Sequence, residues 1–276
     1  MSEECTHSCN TCGENCSHVE AKDLIAPLNE YSSIRRVFAI MSGKGGVGKS
    51  SVTACLAASM AKKGYRVGIL DADITGPSIP QAFGIHTRAS GTEDGQYIIP
   101  EETPSGLKIM SLNLLVQQET DPVIWRGAMV SGAVKQFWSD VIWGDLDYLF
   151  IDMPPGTGDV PLTIFQSIPV DGVIVVTSPQ DLVSMIVTKA VNMANKMKKP
   201  VLGVVENYSW FVCPDCGAKH YIYGESRLSQ VAAEMGLPVL ARVPIDPVVA
   251  EAMDQGRVEQ LEKNYLSDVA DWLEKH

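Results

Sequence analysis

The amino-acid sequence predicts an α/β fold in which helices cover both faces of a doubly wound, mostly parallel sheet. Short apolar runs alternate with segments of helical periodicity along most of the 276 residues, and this alternation is typical of βαβ units. The glycine-rich segment G-K-G-G-V-G-K-S, residues 43–50, separates the first apolar run from the first helical segment. Strand, glycine loop and helix follow each other in the order that a phosphate-binding loop requires.

The first strand is predicted at residues 37–41, and the first helix at residues 51–63, where apolar and small residues recur at helical spacing. Between them the chain fits the phosphate-loop pattern G-x-x-x-x-G-K-[ST]. Its fixed positions are filled by Gly43, Gly48, Lys49 and Ser50. A turn with a purely structural role would not explain Lys49 followed by Ser50, so we expect a nucleotide site.

The residues of this loop have distinct roles in the predicted site. Glycines let backbone N–H groups turn toward phosphate oxygens, and the helix N-terminus adds a partial positive charge. Lys49 can reach the β- and γ-phosphates, and the Ser50 hydroxyl can bind Mg²⁺. The predicted nucleotide contacts are Gly43, Lys44, Gly45, Gly46, Val47, Gly48, Lys49, Ser50 and Ser51.

Lys44 directly follows the first glycine of the loop. A second lysine at this position resembles the deviant Walker A loop of the P-loop ATPases in the MinD, ParA and nitrogenase-iron-protein class. The resemblance implies that the nucleotide is ATP and that the protein is a homodimer. It also implies that Lys44 crosses the dimer interface to the partner's nucleotide and assists catalysis there. The alternative is a solvated loop lysine.

The composition argues against several classes of protein. Hydrophobic residues make up 45% of the chain, enough for a large core, and the net charge of −11 disfavours nucleic-acid binding, which needs a basic face. No apolar run approaches the roughly 20 residues of a membrane span, so no membrane association is expected. The N-terminal segment is polar rather than a signal peptide, and we therefore expect a cytoplasmic protein.

Residues 1–30 differ from the ATPase domain expected at residues 31–276. Cys5, Cys9, Cys12 and Cys16 follow the spacing C-x3-C-x2-C-x3-C, with almost no apolar residue among them. In a reducing compartment such cysteines indicate metal or redox chemistry before disulfides. Four thiolates suit an iron–sulfur cluster or tetrahedral zinc, and the cluster is favoured. The alternative is a mobile tail with free thiols.

Two carboxylates follow the second strand, predicted at residues 65–70. Asp71 and Asp73 lie at its C-terminal end, the edge at which open α/β sheets bind ligands. We assign the orientation of an attacking water to Asp73, and support of the Mg²⁺ shell to Asp71. An Asx-turn with a helix cap is the alternative for this pair.

A third carboxylate ends the apolar run at residues 146–152. Asp152 is expected to be the Walker B carboxylate, which holds Mg²⁺ through water. The segment M-P-P-G-T-G-D, residues 153–159, comes next, and the Gly156 N–H is a candidate sensor of the γ-phosphate. A plain strand-to-helix turn is the alternative reading.

The remaining elements extend the alternation. Further strands are predicted at residues 107–112, 172–177, 200–206 and 239–243, and further helices at 122–141, 181–198, 223–236, 246–254 and 264–275. A turn-rich excursion with a hairpin is expected at 84–106, and a short helix or linker at 19–36. Asn207 matches in position the adenine-binding Asn of the deviant-loop class, while Pro244 and Asp246 match its second base-contacting loop.

Cys213 and Cys216 form a C-x2-C unit in the segment C-P-D-C. Two thiolates cannot complete a tetrahedral site. A zinc ribbon would need a second pair nearby, and a redox dithiol normally opens a helix in a thioredoxin-like fold. A two-fold partner can supply the other two thiolates, and the homodimer implied by Lys44 favours this third completion.

Together these motifs, with D-A-D-I-T-G-P-S, W-R-G and W-G-D-L-D-Y-L-F-I-D-M-P-P-G-T-G-D, resemble the Mrp/ApbC family of iron–sulfur cluster carrier ATPases. The resemblance covers residues 35–260. It implies a homodimer with a 4Fe–4S cluster between paired C-x2-C units, and ATP-dependent transfer of that cluster to recipient apo iron–sulfur proteins. The N-terminal cysteines resemble the extra cluster site of the eukaryotic scaffold branch, although their spacing is more compact.

Two other functions compete with this interpretation. A positioning ATPase of the MinD/ParA type would need a lipid- or DNA-binding surface, and the C-terminal amphipathic segment is acidic, which is wrong for anionic lipid. A reductase related to the nitrogenase iron protein would pass electrons through the bridged cluster. The carrier is favoured because the positioning class does not require Cys213 and Cys216.

Overall fold

The computed structural model describes residues 25–73, 78–115, 127–180 and 183–275. Its strands are β1 (Ser32–Ser42), β2 (Val67–Asp71), β3 (Ser90–Gly91), β4 (Ile98–Ile99), β5 (Glu101–Glu102), β6 (Lys108–Ser111), β7 (Gly144–Asp152), β8 (Gly172–Thr177), β9 (Val201–Glu206), β10 (Phe211–Val212), β11 (Lys219–His220) and β12 (Val239–Arg242). Its helices are α1 (Lys49–Lys62), α2 (Ile79–Ala82), α3 (Gly127–Ser139), α4 (Asp159–Ser167), α5 (Val183–Lys196), α6 (Leu228–Glu234), α7 (Pro247–Asp254) and α8 (Ser267–Lys275).

Eight strands form one central sheet in the order β12-β9-β8-β1-β7-β2-β6-β5. Every neighbouring pair is parallel except β5 with β6, which is antiparallel. The predicted doubly wound, mostly parallel sheet is therefore confirmed. The hairpin expected within residues 84–106 is formed by β3 and β4, which pair outside the central sheet.

The core lies on both faces of this sheet. Along β1, Phe38 and Ile40 belong to one buried cluster, whereas Val37, Ala39 and Met41 belong to the other. Side chains alternate between the two faces of a strand, so a strand that is covered on both sides reads as a continuous apolar run. That is why residues 37–41 were recognisable as a buried strand.

Several element boundaries differ from the sequence predictions, and three of them have a clear structural reason. The strand β1 begins at Ser32, within the stretch expected to be a helix or linker, because its polar first residues pair in register with β7 from Gly144 onward. The helix α1 begins at Lys49, immediately after Gly48, which has the left-handed φ of 74°. The helix α6 begins only at Leu228, since the segment expected to open it belongs to a turn.

Parallel strands bring their C-terminal ends to one edge of the sheet. Ser42, Asp71, Asp152, Thr177 and Glu206 are the last residues of β1, β2, β7, β8 and β9, so the loops that follow these strands lie side by side. This edge is where open α/β sheets bind ligands. Within the described part of the chain, no helix is long and apolar enough to cross a membrane.

Candidate functional site

The phosphate loop runs from the end of β1 to the start of α1 and depends on its glycines. Gly46 and Gly48 have φ values of 77° and 74°, in the left-handed region that glycine adopts without steric cost. A Cβ on Gly43 would lie 2.2 Å from Ile186 Cγ2, and one on Gly48 would lie 2.2 Å from Asn207 Nδ2. The loop is therefore shaped so that only glycine fits where the backbone turns and packs most closely.

Asp152, at the end of β7, is the centre of a buried network below this loop. Its Oδ2 atom accepts hydrogen bonds from Lys49 Nζ and Ser50 Oγ, both at 2.6 Å. Its Oδ1 atom accepts one from Thr53 Oγ1 at 2.7 Å. The fold thus unites the predicted Walker B carboxylate with the loop lysine and serine. Sequence reasoning missed Thr53, although its position four residues after Lys49 places it on the same face of α1.

Lys49 also forms an ion pair with a second carboxylate, that of Asp73. Its Nζ atom lies 3.4 Å from Asp73 Oδ2, and the lysine side chain is 95% buried, since only 5% is exposed. Burial alone lowers the pKa of Lys49, but the negative charges of Asp152 and Asp73 outweigh it, so the pKa is raised. Lys49 therefore stays protonated, as a phosphate-binding lysine must.

Asp71 lies beside Asp152 in the register of β2 with β7 and is wholly enclosed. Burial, together with the charge of Asp152, raises the pKa of Asp71 to about 8, against the opposing effect of Lys49. Its oxygens accept hydrogen bonds from Ser111 Oγ at 2.9 Å and from the Asp73 N–H at 3.1 Å. The Asp73 backbone is thereby held in place by Asp71. The predicted support of the Mg²⁺ shell by Asp71 stays a prediction.

Lys44 lies at the rim of the phosphate loop and is half-buried. Its Nζ atom donates to Gln180 Oε1, in the loop after β8, and its carbonyl oxygen accepts from Ser42 Oγ at 2.9 Å. The side chain therefore points toward the neighbouring strand's loop rather than down into the network around Asp152. Its predicted contact with a partner's nucleotide stays a prediction.

Gly156 lies in the loop that follows β7 and has a φ of 87°. Its N–H donates to the Ser42 carbonyl oxygen at 2.8 Å and so ties this loop to the end of β1. In this arrangement the donor already has a partner within the protein. The predicted contact with a γ-phosphate therefore requires this hydrogen bond to be exchanged.

A cavity of about 300 Å³ lies beside the N-terminal half of α1. Asn207, Pro244 and Asp246 all line it, so the fold brings together the three residues expected to contact the base. Asn207 Nδ2 donates to the Val47 carbonyl oxygen of the phosphate loop at 3.0 Å. Ser51 lines both this cavity and the cleft above the phosphate loop, so the two spaces adjoin each other.

Two side chains that line this cavity, those of Tyr265 and Cys55, were not predicted from the sequence to belong to the site. Tyr265 is connected to the predicted residue Asp246. The Asp246 carboxylate caps α7 by accepting from the Val248 N–H at 2.9 Å, and it also accepts from Tyr265 Oη at 2.7 Å. Tyr265 and Cys55 complete part of the wall. Tyr265 lies only 19 residues from Asp246, but no local pattern marks it as part of the site.

The C-x2-C unit lies on a hairpin formed by β10 and β11. Cys213 is half-buried and Cys216 is exposed. The backbone N–H groups of Cys216 and Asp215 stabilise the thiolate of Cys213 and lower its pKa. Among the residues that the structure describes, no group of three or more Cys, His, Asp or Glu side chains is arranged to hold a metal. Cys5, Cys9, Cys12 and Cys16 lie outside those residues.

Comparison with known proteins assigns a family to this arrangement. A family model described as an NUBPL iron-transfer P-loop NTPase, of the ParA group, matches residues 33–275. An iron–sulfur cluster carrier protein of Clostridium perfringens is 47% identical over 236 residues, which are 83% of each chain. The expected resemblance to iron–sulfur cluster carrier ATPases is thereby confirmed.

Solved structures agree with this assignment. A nucleotide-binding protein from Archaeoglobus fulgidus in complex with ADP is 42% identical, with a TM-score of 0.75 over 84% of this chain and 91% of that one. MinD from Pyrococcus horikoshii, complexed with Mg-ADP, is 21% identical, with a TM-score of 0.62 over 88% and 97%, and shows the fold alone. The family match spans the phosphate loop, the carboxylates and the cysteine hairpin, and we conclude that this chain belongs to the ParA-type family of NUBPL iron-transfer P-loop NTPases.

Proposed function

We propose that this protein binds Mg-ATP at the phosphate loop and carries a 4Fe–4S cluster between two copies of the chain, for delivery to apo iron–sulfur proteins. The observation that carries the proposal is the position of Cys213 and Cys216. They lie on the hairpin of β10 and β11, which follows Asn207 in the chain. Asn207 lines the base-side cavity and donates a hydrogen bond to the phosphate loop. A nucleotide and a thiol-bound cargo would therefore share one edge of the sheet.

The nucleotide half of the proposal is supported by the shape and charge of the loop. The left-handed glycines turn backbone N–H groups toward the cleft, and the buried, protonated Lys49 supplies the charge that phosphate oxygens need. Mg²⁺ would be held by the Ser50 hydroxyl and, through water, by Asp152, and it would neutralise charge on the phosphate oxygens. Asp73, whose carboxylate lies 3.4 Å from Lys49 Nζ, would orient the attacking water.

The cargo half rests on the number of thiolates. A 4Fe–4S cluster takes four cysteine ligands, whereas the hairpin of one copy offers Cys213 and Cys216. A second copy related by a two-fold axis would supply the other two. The lowered pKa of Cys213 favours the thiolate, which is the form that binds metal. Contact of Lys44 with the partner's nucleotide would use the same dimer, and slow hydrolysis would be coupled to cluster transfer.

The test removes one thiol at a time. Cys213→Ala and Cys216→Ala are made in the variant lacking residues 1–20, so that the N-terminal cysteines cannot hold iron. After anaerobic reconstitution, both are expected to lose iron, sulfide and visible absorption, together with any cluster-stabilised dimer on gel filtration, while Mg-ATP still binds. Cys55→Ala is the matched control because Cys55 is a buried thiol of α1 rather than of the hairpin, and it should keep the cluster.

Two results would contradict this proposal. One is a cluster that survives both substitutions, and the other is a monomer that carries a full cluster. A reductase of the nitrogenase-iron-protein kind would instead keep its cluster when an apo acceptor is added, so transfer to the acceptor distinguishes the two functions. A positioning ATPase is less well supported because it gives Cys213 and Cys216 no role.

A further inference from the structure

One buried carboxylate holds both ends of the cysteine hairpin, defined here as residues 209–226. Glu206 ends β9 and is 0% exposed. Its Oε2 atom accepts a hydrogen bond from Ser209 Oγ at 2.7 Å, and its Oε1 atom accepts one from Ser226 Oγ. Ser209 and Ser226 are the first and last residues of the hairpin. The two oxygens of a single side chain therefore set the spacing between its ends.

The residues next to Glu206 contact the phosphate loop instead. Asn207 donates to the Val47 carbonyl oxygen at 3.0 Å. Tyr208 has a φ of 61°, which is uncommon for an aromatic residue and persists where the surroundings hold it. Its Oη atom lies 2.7 Å from where a Cβ on Gly48 would be, so its hydroxyl end packs against the loop. We call residues 206–209 the junction turn. These four consecutive residues contact both the phosphate loop and the hairpin.

A second connection joins the hairpin to the base-side cavity. The Ile245 N–H donates to the Trp210 carbonyl oxygen at 2.7 Å, and Ile245 also forms a bridge with Phe211. Ile245 lines the cavity together with its neighbours Pro244 and Asp246. The first strand of the hairpin is therefore attached at the base side as well as at the junction turn.

We propose that Glu206 is a positioning residue through which nucleotide binding changes the exposure of Cys213 and Cys216. The inference rests on the proposed function only in requiring that Mg-ATP occupies the phosphate loop. Binding there moves or stiffens Val47 and Gly48, and the junction turn follows because Asn207 and Tyr208 contact them. Glu206 passes this change to both ends of the hairpin at once, whereas a hairpin held at one end would pivot independently.

The experiment measures alkylation of Cys213 and Cys216 by iodoacetamide in the full chain, freed of iron, with and without Mg-ATP. Peptide mass spectrometry gives the rate at each cysteine. In the wild type the two rates are expected to change when Mg-ATP is added. In Ser226→Ala, which frees the far end of the hairpin, that change is expected to be lost although Mg-ATP still binds.

Ser226 Oγ also accepts from the Leu228 N–H at 3.0 Å, so Ser226→Ala weakens the start of α6 as well. Ser209→Ala avoids this, because it removes the hydrogen bond between Glu206 and the near end of the hairpin and leaves α6 untouched. The backbone hydrogen bonds of Ser209 with Val243 and of Trp210 with Ile245 remain, so the change isolates the contribution of Glu206. This variant is expected to lose the nucleotide response in the same way. If Ser226→Ala does not fold, Ser209→Ala alone tests whether Glu206 transmits the effect of Mg-ATP.

Two controls separate positioning from general stability. In Glu206→Gln the side chain keeps its length, and the amide can accept from one serine and donate to the other. The ion pair of Glu206 Oε2 with Arg242 Nε, at 3.4 Å, is lost, but in the proposal the response depends on the two serine hydrogen bonds, so the response should be retained. Ser105→Ala removes a serine hydroxyl that donates a hydrogen bond to the carboxylate of Glu259. Neither residue lines the nucleotide site, and neither belongs to the hairpin. This matched change should also leave the response intact.

A full response in the serine variants of the hairpin, or its loss in Ser105→Ala or Glu206→Gln, would overturn the proposal. Its failure is distinguishable from failure of the proposed function. If the alkylation rates of Cys213 and Cys216 in the wild type do not change with Mg-ATP, but the protein still binds a cluster, only the role of Glu206 is contradicted. If the alkylation rates change with Mg-ATP and this change depends on the hydrogen bonds of Glu206, but no cluster binds, the role of Glu206 is supported and the carrier function is contradicted.

Discussion

Lys49 Nζ lies 2.6 Å from Asp152 Oδ2, and this ion pair joins the first residue of α1 to the last residue of β7. Both side chains are almost wholly buried, at 5% and 0% exposure. Each charge therefore depends on the other for its stability in the interior, because a buried charge without a partner is costly. The pair therefore connects the proposed nucleotide site to the stability of the fold.

Lys49→Ala is expected to abolish nucleotide binding and to lower the free energy of unfolding. Removing one partner of a buried pair costs about 3–5 kcal/mol. The loss here should fall at the lower end, because Ser50 and Thr53 still donate to Asp152. Isothermal titration with Mg-ATP and urea unfolding measure the two effects.

Lys44→Ala is the contrasting change at the same loop. Because Lys44 is half-buried and contacts Gln180 at the rim, its loss should change stability by only about 0.5 kcal/mol and should leave ATP binding in place. Hydrolysis should nevertheless fall, since its phosphate contact would come from the partner. A Lys44→Ala protein that hydrolyses ATP as fast as the wild type would refute the role of Lys44 across the interface.

Asp73→Asn and Asp152→Asn are expected to separate water orientation from metal binding. Asp73→Asn should retain Mg-ATP and lose hydrolysis, because a neutral amide holds and orients the attacking water less strongly than a charged carboxylate does. Asp152→Asn should weaken Mg-ATP itself, since Ser50 and Lys49 both bind this carboxylate. Titration at varied Mg²⁺ concentration, with a phosphate-release assay, checks both. Equal loss of binding in the two variants would contradict this division of roles.

Thr53→Val is expected to destabilise the protein by about 1–3 kcal/mol, because it leaves Asp152 Oδ1 without the hydroxyl that donates to it at 2.7 Å. The shape of the side chain is preserved, so packing within α1 should change little. Urea unfolding gives the difference. Thr53→Ser keeps the hydroxyl and serves as the control. A Val variant as stable as the wild type would show that the hydrogen bond contributes nothing.

The alkylation rates of Cys213 and Cys55 are expected to depend on pH in different ways. Hydrogen bonds from the backbone of Cys216 and Asp215 lower the pKa of Cys213, so its rate should level off at a lower pH than that of an ordinary thiol. Burial raises the pKa of Cys55 from 9.0 to about 12, so Cys55 should stay unlabelled from pH 6 to 9 in the native chain. Mass spectrometry of the alkylated peptides measures both.

The sign of the stability effect at Cys55 follows from its raised pKa. The native state holds this proton more tightly than the unfolded state, so stability is unaffected below pH 9.0 and decreases as pH rises toward 12. Labelling at pH 6 to 9 therefore samples the native protein. Urea is expected to make Cys55 reactive, and rapid labelling without urea would contradict its burial.

The sequence by itself determined the fold class and most of the candidate site. Gly43, Gly48, Lys49 and Ser50 occur in a short pattern whose spacing is set by the loop itself, so it can be read without knowing the fold. Asp71 and Asp152 were found because each ends an apolar run, and chain order alone places strand ends at one edge of a parallel sheet.

The tertiary structure decided which side chains meet. Thr53 reaches Asp152 across 99 positions, and Ser226 reaches Glu206 across 20, so neither contact leaves a periodic signal in the sequence. Ser32 begins β1 only because it pairs with Gly144 of β7. Local patterns report the conformational preference of neighbouring residues and the face they bury. Hydrogen bonds between distant residues depend instead on strand order and register, which arise only when the whole sheet has formed.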